Sequence, residues 1–274
     1  NNSGPTITGC TIRGNRSDGS CGGIYVEWSA STTIADCVIE ENLGRAVSCI
    51  DSDTAVIEGC TFRKNQGRSI HIAHTAATIA NNVFVNNQST PVETAGTGAI
   101  ITGCAFLHNS GWGNSGGFNC YNGTPTITNC TFAYNKAGGG YGGAIYLHNS
   151  DAIVTNTIFW GDTARKGNEI YLDGWGSPST LHISHSDLGG GVPSVQLELG
   201  SQIIWGAGLI DSDPLFAEPG VLDTHLTYHS PCRAGGDPLA PNLPTTAIEG
   251  DPMAVSGAVD MGADQYPIHP YHLG

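Results

Sequence analysis

Residues 125–135 read Pro-Thr-Ile-Thr-Asn-Cys-Thr-Phe-Ala-Tyr-Asn, and this stretch decides the fold because its pattern returns along the first two thirds of the chain. The eight copies are PTITGCTIRGN (5–15), TTIADCVIEEN (32–42), AVIEGCTFRKN (55–65), ATIANNVFVNN (77–87), AIITGCAFLHN (99–109), PTITNCTFAYN (125–135), AIVTNTIFWGD (152–162) and LHISHSDLGGG (181–191). Their sixth positions, Cys10, Cys37, Cys60, Asn82, Cys104, Cys130, Thr157 and Ser186, are spaced 22 to 29 residues apart. A fixed period of this length signals a solenoid, each repeat being one coil that cannot bury its apolar face alone.

The columns show what each position is for. One runs Ile7, Ile34, Ile57, Ile79, Ile101, Ile127, Val154, Ile183; another runs Ile12, Ile39, Phe62, Phe84, Phe106, Phe132, Phe159, Leu188. Both are predicted to point inward, with the small column headed by Cys10 between them, where a compact, weakly polar side chain suits a tight interior. The last column is Asn15, Asn42, Asn65, Asn87, Asn109, Asn135, then Asp162 and Gly191. These residue types tolerate left-handed backbone, so the sharp turn is expected there. Stacked asparagines can also hydrogen-bond to one another along the axis.

A second strand follows each turn: GGIYV (22–26), AVSCI (46–50), SIHIA (69–73), GFNCY (117–121), AIYLH (144–148) and EIYLD (169–173). Its period-two alternation buries one face. The fourth turn lacks a clear copy, Val92 being the best candidate. Short strands, in-register columns and no helical pattern predict an all-β chain, a right-handed parallel β-helix of about eight or more coils. Residues 1–191 form the repeats, and 192–274, rich in Pro, Asp and Gly, are expected to hold the last coil or two and an irregular C-terminal cap packed on the solenoid. Asn1 begins inside a repeat, NNSGPTITGC matching YNGTPTITNC at 121–130, so the array is expected to continue beyond it in a longer protein or under another chain.

Charged residues are 12% of the chain and the net charge is −14. So acidic a surface excludes nucleic acid as a partner, since phosphate binding needs clustered Lys and Arg. Neutral glycans, divalent cations and other proteins remain. No apolar run reaches the ~18 residues of a membrane-spanning helix. Of the nine cysteines, Cys21 and Cys232 fall outside the inward columns and are the likelier to pair or be exposed.

The GGAI at 142–145, the GGIY at 22–25, and FRKN, FVNN, FLHN and FAYN resemble the paired GGA(I/L/V) and FxxN repeats of polymorphic outer-membrane proteins and related bacterial surface β-helix proteins, over residues 5–191. The tail 211–266 resembles the end of secreted bacterial β-helix proteins grouped as choice-of-anchor domains. Both resemblances imply an exported, surface-associated product of structural or adhesive role, secreted or held at the bacterial cell surface, and neither implies a reaction.

Three surfaces are candidates for function. The second-strand face presents Tyr25, Glu27, His71, Asn119, Tyr121, Tyr146, His148, Tyr171 and Asp173, with Trp28, Trp112 and Trp175 at its edges. Aromatic rings interleaved with amides, imidazoles and carboxylates suit a sugar chain, whose pyranose faces stack on rings while hydroxyls meet polar groups. The bland alternative is that tyrosines simply favour exposed sheet. An apolar stripe of Val85, Leu107, Ile158 and Trp160 lies on an outward face, and is expected either to be covered by the C-terminal tail or to form a protomer interface. Arg13, Glu40 and Arg63 stack as an ion-pair ladder.

Chemistry is harder to place. Right-handed β-helices include polysaccharide lyases and hydrolases, but none of the three lysines, Lys64, Lys136 and Lys166, lies on the Tyr/His face to serve as a base, and Glu27 with Asp51 is the sole nearby outward carboxylate pair. No cofactor is implied. Ca²⁺ is the one ion that suits the composition, at the turn carboxylates Asp51, Asp53, Asp211 and Asp213. The histidine pairs His71/His74, His182/His185, His225/His229 and His269/His272 lack a third ligand at zinc-like spacing.

Overall fold

A computed structural model describes residues 4–111, 113–218 and 223–264. Each repeat supplies two short strands meeting at a corner, and the stretch after it supplies a third. Ile7, Ile34, Ile57, Ile79, Ile101, Ile127, Val154 and Ile183 pair in register on successive parallel strands. The Phe column pairs likewise from Ile12 to Leu188. The third column runs Ile24, Val47, Ile70, Val92, Phe118, Ile145, Ile170 and Val195, with Val92–Ala95 filling the fourth coil. The result is a parallel β-helix with three long sheets of nine, eight and eight strands. Val195–Leu197 and Gln202–Trp205 join these sheets, carrying the coil past residue 191.

The columns meet in one continuous core. Phe62, Phe84, Phe106, Phe132 and Phe159 stack near-parallel with centroids 5.0, 4.7, 4.4 and 5.3 Å apart. Such offset ring pairs add about 0.5–1.5 kcal/mol each beyond their buried area.

All corners share one device, and it differs from the turn predicted at the Asn column. The left-handed residue is the one before the column: Glu41, Lys64, Asn86, His108 and Tyr134 have φ between 51° and 58°. Asn42, Asn65, Asn87, Asn109 and Asn135 themselves turn inward and are fully buried. Each accepts the N–H and Nδ2 of the Asn one coil earlier, and its own Nδ2 donates to a core carbonyl of the preceding coil, as Asn109 Nδ2 does to Phe84 O at 2.9 Å. The Cys column makes the same ladder with sulfur as acceptor: the Cys10 and Cys37 N–H groups donate to Cys37 and Cys60 Sγ at 3.4 Å. Ser29, Ser52 and Thr75 make it at the third corner. Parallel stacking orphans one N–H per corner per coil, and a short inward acceptor satisfies it.

The nine cysteines are thiols. Cys232 is buried, its Sγ donating to Asp187 Oδ2 at 3.2 Å, and Cys21 Sγ lies against the Arg45 carbonyl at 3.1 Å, so neither reaches the other. The exposed thiol is instead Cys10, a column residue on the first coil.

After the last coil the described part of the chain leaves the solenoid. It runs back along the corner between the first and second sheets, tied by Thr128 Oγ1 to Pro241 O, Asn156 Nδ2 to Asp237 O and Asn129 Nδ2 to Asp260 O. Phe216, Leu226, Cys232, Met261 and Ala263 bury Ala105, Leu107, Ala133 and Ile158, with Val85 and Trp160 at the margin. The tail expected over the stripe therefore covers Leu107 and Ile158, while Val85 and Trp160 stay half-buried at its edge. Ile204 and Trp205 on the last coil stay exposed.

Candidate functional site

On the third sheet two outward columns follow from the register. One is Tyr25, Ser48, His71, Glu93, Asn119, Tyr146, Tyr171; the other is Glu27, Ile50, Ala73, Ala95, Tyr121, His148, Asp173. With coils ~4.8 Å apart, the five steps from Tyr25 to Tyr146 span about 24 Å, so the candidate residues form separate patches rather than one site.

The first patch is Tyr25, Glu27 and Trp28, all exposed on the first coil, Trp28 by 68%. The second centres on His71, which is buried, with Ser48 Oγ 3.3 Å from its Nδ1. Burial, reinforced by the charges of Arg45 and Arg68, pushes its pKa down to about 4. Glu93 lies 3.7 Å from Nε2, too far to hydrogen-bond, and is already taken by Arg68 at 2.8 Å, so it does not hold a proton on the ring. Glu93 was missed in the sequence because Val92-Glu-Thr-Ala95 has Thr94 where the other third-sheet strands carry a second inward apolar residue or Cys.

The third patch brings together most of the candidates. Tyr121, Tyr146 and Tyr171 form a ring ladder with centroid steps of 5.7 Å, and His148 lies parallel to Tyr146 at 6.5 Å. Tyr146 donates to Asp173 Oδ2 at 2.6 Å, His148 Nδ1 lies 3.1 Å from the same oxygen, and the Trp175 N–H donates to Oδ1 at 2.9 Å. Burial works against the charge on Asp173, but these donors outweigh it and hold the carboxyl below its ordinary range. Burial, with Asp173 beside it, pushes the Tyr146 phenol far up. Tyr146 is thus locked as a donor and Asp173 is an anion held by three donors. Tyr171 and Asn119 are buried, Tyr171 beneath Tyr141, whose ring is 4.6 Å away. Trp112 lies outside the described residues.

Next to this patch, where the chain turns into the first sheet, a polar cleft of about 480 Å³ is lined by Asn122, Asn149, Asp151 and Ser177. Asn122 follows Tyr121, Asn149 follows His148, and Ser177 lies two residues beyond Trp175, which is 76% exposed. Asn149 Nδ2 donates to Asn122 Oδ1 at 3.2 Å and its Oδ1 accepts the Ser177 N–H at 2.8 Å, so the amides form a fixed row.

The turn carboxylates are dispersed. Asp51 shares a hydrogen bond with His74 at 3.1 Å, Asp211 and Asp213 accept the Gly190 and Leu215 N–H groups, and Asp53 is exposed. Among the described residues, the three His, Cys or carboxylate groups whose ligand atoms lie within 4.8 Å of one another are Asp223, His225 and Asp264. His225 meets these carboxylates and Glu249, while His229 lies edge-on to Tyr228; His269 and His272 are outside the described residues. Arg13, Glu40 and Arg63 form the predicted ladder, Arg13 reaching Glu41 as well.

Two comparisons bear on these features. The sequence profile of the family described as "Right handed beta helix region" matches residues 1–106. No curated protein matches the chain. The stacked coils of the structure continue the architecture of that matched region, and through Trp205 the chain folds as a right-handed parallel β-helix.

Proposed function

We propose that the protein is a non-catalytic adhesion module of an extracellular or cell surface, a stiff rod that holds an extended, uncharged glycan along the edge of its third sheet. The observation that carries this reading is the adjacency of the polar cleft at Asn122 and Asn149 to the Tyr121, His148 and Trp175 rings. A ring 76% exposed beside a row of fixed amides offers a sugar both a stacking face and hydroxyl partners. The net charge of −14 favours a neutral chain over an acidic one. The FxxN and GGAI repeats, similar to those of bacterial surface proteins, support the location.

The same geometry speaks against turnover as the first reading, because Tyr146 and Asp173 are hydrogen-bonded to one another instead of facing an open position. One observation favours an enzyme: Asp173 orients His148, as a carboxylate orients a general base. A glycan array read alongside reducing-end and unsaturated-uronide assays separates the two. Retention of neutral glycans without product is expected, with Trp175→Ala weakening it about tenfold, the loss of one stacking contact. Product release would make the protein an enzyme, and failure to retain any glycan would remove the proposal.

A further inference from the structure

The asparagine ladder ends in an anomaly. In the rungs Asn42, Asn65, Asn87, Asn109 and Asn135, Nδ2 donates twice, to the next rung and to a carbonyl of the preceding coil. The next residue in the column is Asp162, whose Oδ1 receives the Asn135 N–H and Nδ2 at 2.5 and 2.8 Å. Its Oδ2 stands where every earlier rung has a donor, and it is buried without a partner. Glu169 occupies a column otherwise filled by Ala46, Ser69, Pro91, Gly117 and Ala144, and its Oε2 is also buried and unpartnered. Each of the two residues is only 3% exposed.

Both carboxyls line a cleft of about 440 Å³, walled by Trp160 and Pro193 and opened by Gly189 and Gly190, where the column has run out of side chains. Apart from the pair itself, whose side chains lie within hydrogen-bond reach of one another and whose Asp162 N–H meets the Glu169 carboxyl, no donor reaches Asp162 Oδ2 or Glu169 Oε2 among the described residues. Two facing carboxylates this deeply buried cannot both stay ionised unless a proton or a cation is held between them.

We propose that Asp162 and Glu169 form a binding site for a hard divalent cation of the Ca²⁺ class, entered through the cleft beneath Trp160. Oxygen-only ligands suit such an ion, and waters in the cleft would complete its shell. Asn135 fixes the Asp162 carboxylate from behind, as outer-shell donors fix metal ligands. Asp187, held by the Ser212 N–H and the Cys232 thiol, adds negative charge nearby. Without the ion the pair retains one proton, so the exchange is balanced: one cation enters, one proton leaves, and the site goes from a carboxyl–carboxylate pair to two carboxylates on the metal. Burial of each group, and for Glu169 the neighbouring Asp162, pushes both carboxyls up and is consistent with that retained proton.

Tb³⁺ serves as the probe, because Trp160 lines the cleft and can sensitise its luminescence. Wild-type protein is expected to give a Trp-sensitised signal that Ca²⁺ displaces and that tightens between about pH 5 and about pH 8 with about one proton released per ion. Asp162→Asn, which completes the amide ladder and so keeps the fold, and Glu169→Gln are each expected to weaken Ca²⁺ binding by about tenfold or more. Trp160→Phe should abolish the luminescence while calorimetry still registers Ca²⁺ binding. Absence of a Ca²⁺-displaceable signal, its persistence in Asp162→Asn and Glu169→Gln, or its loss only in an Asp223→Asn/Asp264→Asn protein would each overturn the site.

Discussion

Asn109 shows how much one side chain can carry in this architecture. It accepts the Asn87 N–H and Nδ2 at 3.0 and 2.9 Å and donates to Phe84 O and Asn135 Oδ1, both at 2.9 Å. Asn109→Ala strands buried polar groups on both neighbouring coils, and each unsatisfied group costs about 1–3 kcal/mol. The urea midpoint is therefore expected to fall by an amount comparable to Phe106→Ala, which deletes the centre of the ring stack at a cost of about 3–5 kcal/mol. Asn15→Ala, on the exposed first coil, should cost far less. If Asn109→Ala and Asn15→Ala prove equally mild, the ladder is not what holds the corners. The column was legible in the sequence, but its role was only half so. Asn is the residue expected in left-handed geometry, yet here that geometry falls on Glu41, Lys64 and Tyr134, whose side chains give no sign of it and bear a strain of about 1–2 kcal/mol.

The element that sequence patterning reads least well is the tail. The apolar stripe through Leu107, Ala133 and Ile158 showed that something had to cover the second sheet, because alternation cannot put large apolar groups in water without reason. The path of the cover was not readable, since it is fixed by single bonds from the tail's backbone rather than by any period: the Ala263 N–H to Thr131 Oγ1 at 3.0 Å and the Gly262 N–H to Asn156 O at 2.8 Å. Gly262 is the tight point, with φ at 94° and room so limited that an added Cβ would lie 2.8 Å from Ile158 Cδ1 and from Thr131 Oγ1. Gly262→Ala is expected to weaken tail docking by about 1–3 kcal/mol through overpacking and backbone strain. Hydrogen exchange should then show lost protection at Gly262 and Ala263, and a hydrophobic dye should bind the uncovered stripe, while the Phe-stacked coils keep their protection. Unchanged exchange at those two amides would mean that the tail is anchored elsewhere.

For the whole molecule, the sites that sequence reasoning missed and the way stability responds to pH have one origin, charged groups placed where the solenoid normally puts neutral ones. The switches were visible as letters: the Asn column turns to Asp162, and a column of small residues turns to Glu169. Their meaning needed three dimensions, since nothing in a linear pattern says that the corner and the following strand bring the two carboxyls to one cleft. The third-sheet face divides similarly: its columns could be read, but whether a ring is open, as Trp175 is, or roofed, as Tyr171 is by Tyr141, depends on loops of irregular length.

The signs can be worked through group by group. Burial, with the negative charges of Asp211 and Asp213, lifts Asp187 to about 6, and its stabilising share is full in acid and lost as pH rises from about 4 through about 6. The Asp162–Glu169 pair, also raised, extends that loss to higher pH. His225 adds to it: burial opposes its charge, but Asp264, Asp223 and Glu249 prevail and raise it, so its share is present below the ordinary histidine range and lost above it. His71 acts oppositely, since its neutral buried form loses its advantage as pH falls from about 6.5 toward about 4. Three raised sites against one lowered imidazole, on a chain of net charge −14 whose self-repulsion grows with pH, place the stability maximum on the acid side of neutrality. In chelator, to keep the cleft free of cations, the urea midpoint is expected to decline from about pH 6 to about pH 8. Asp162→Asn should flatten that decline by removing one of the two carboxyls that compete for a single proton. A midpoint that climbs over this interval, or an Asp162→Asn protein as steep as the wild type, would show that the paired acids are not protonated in the folded state.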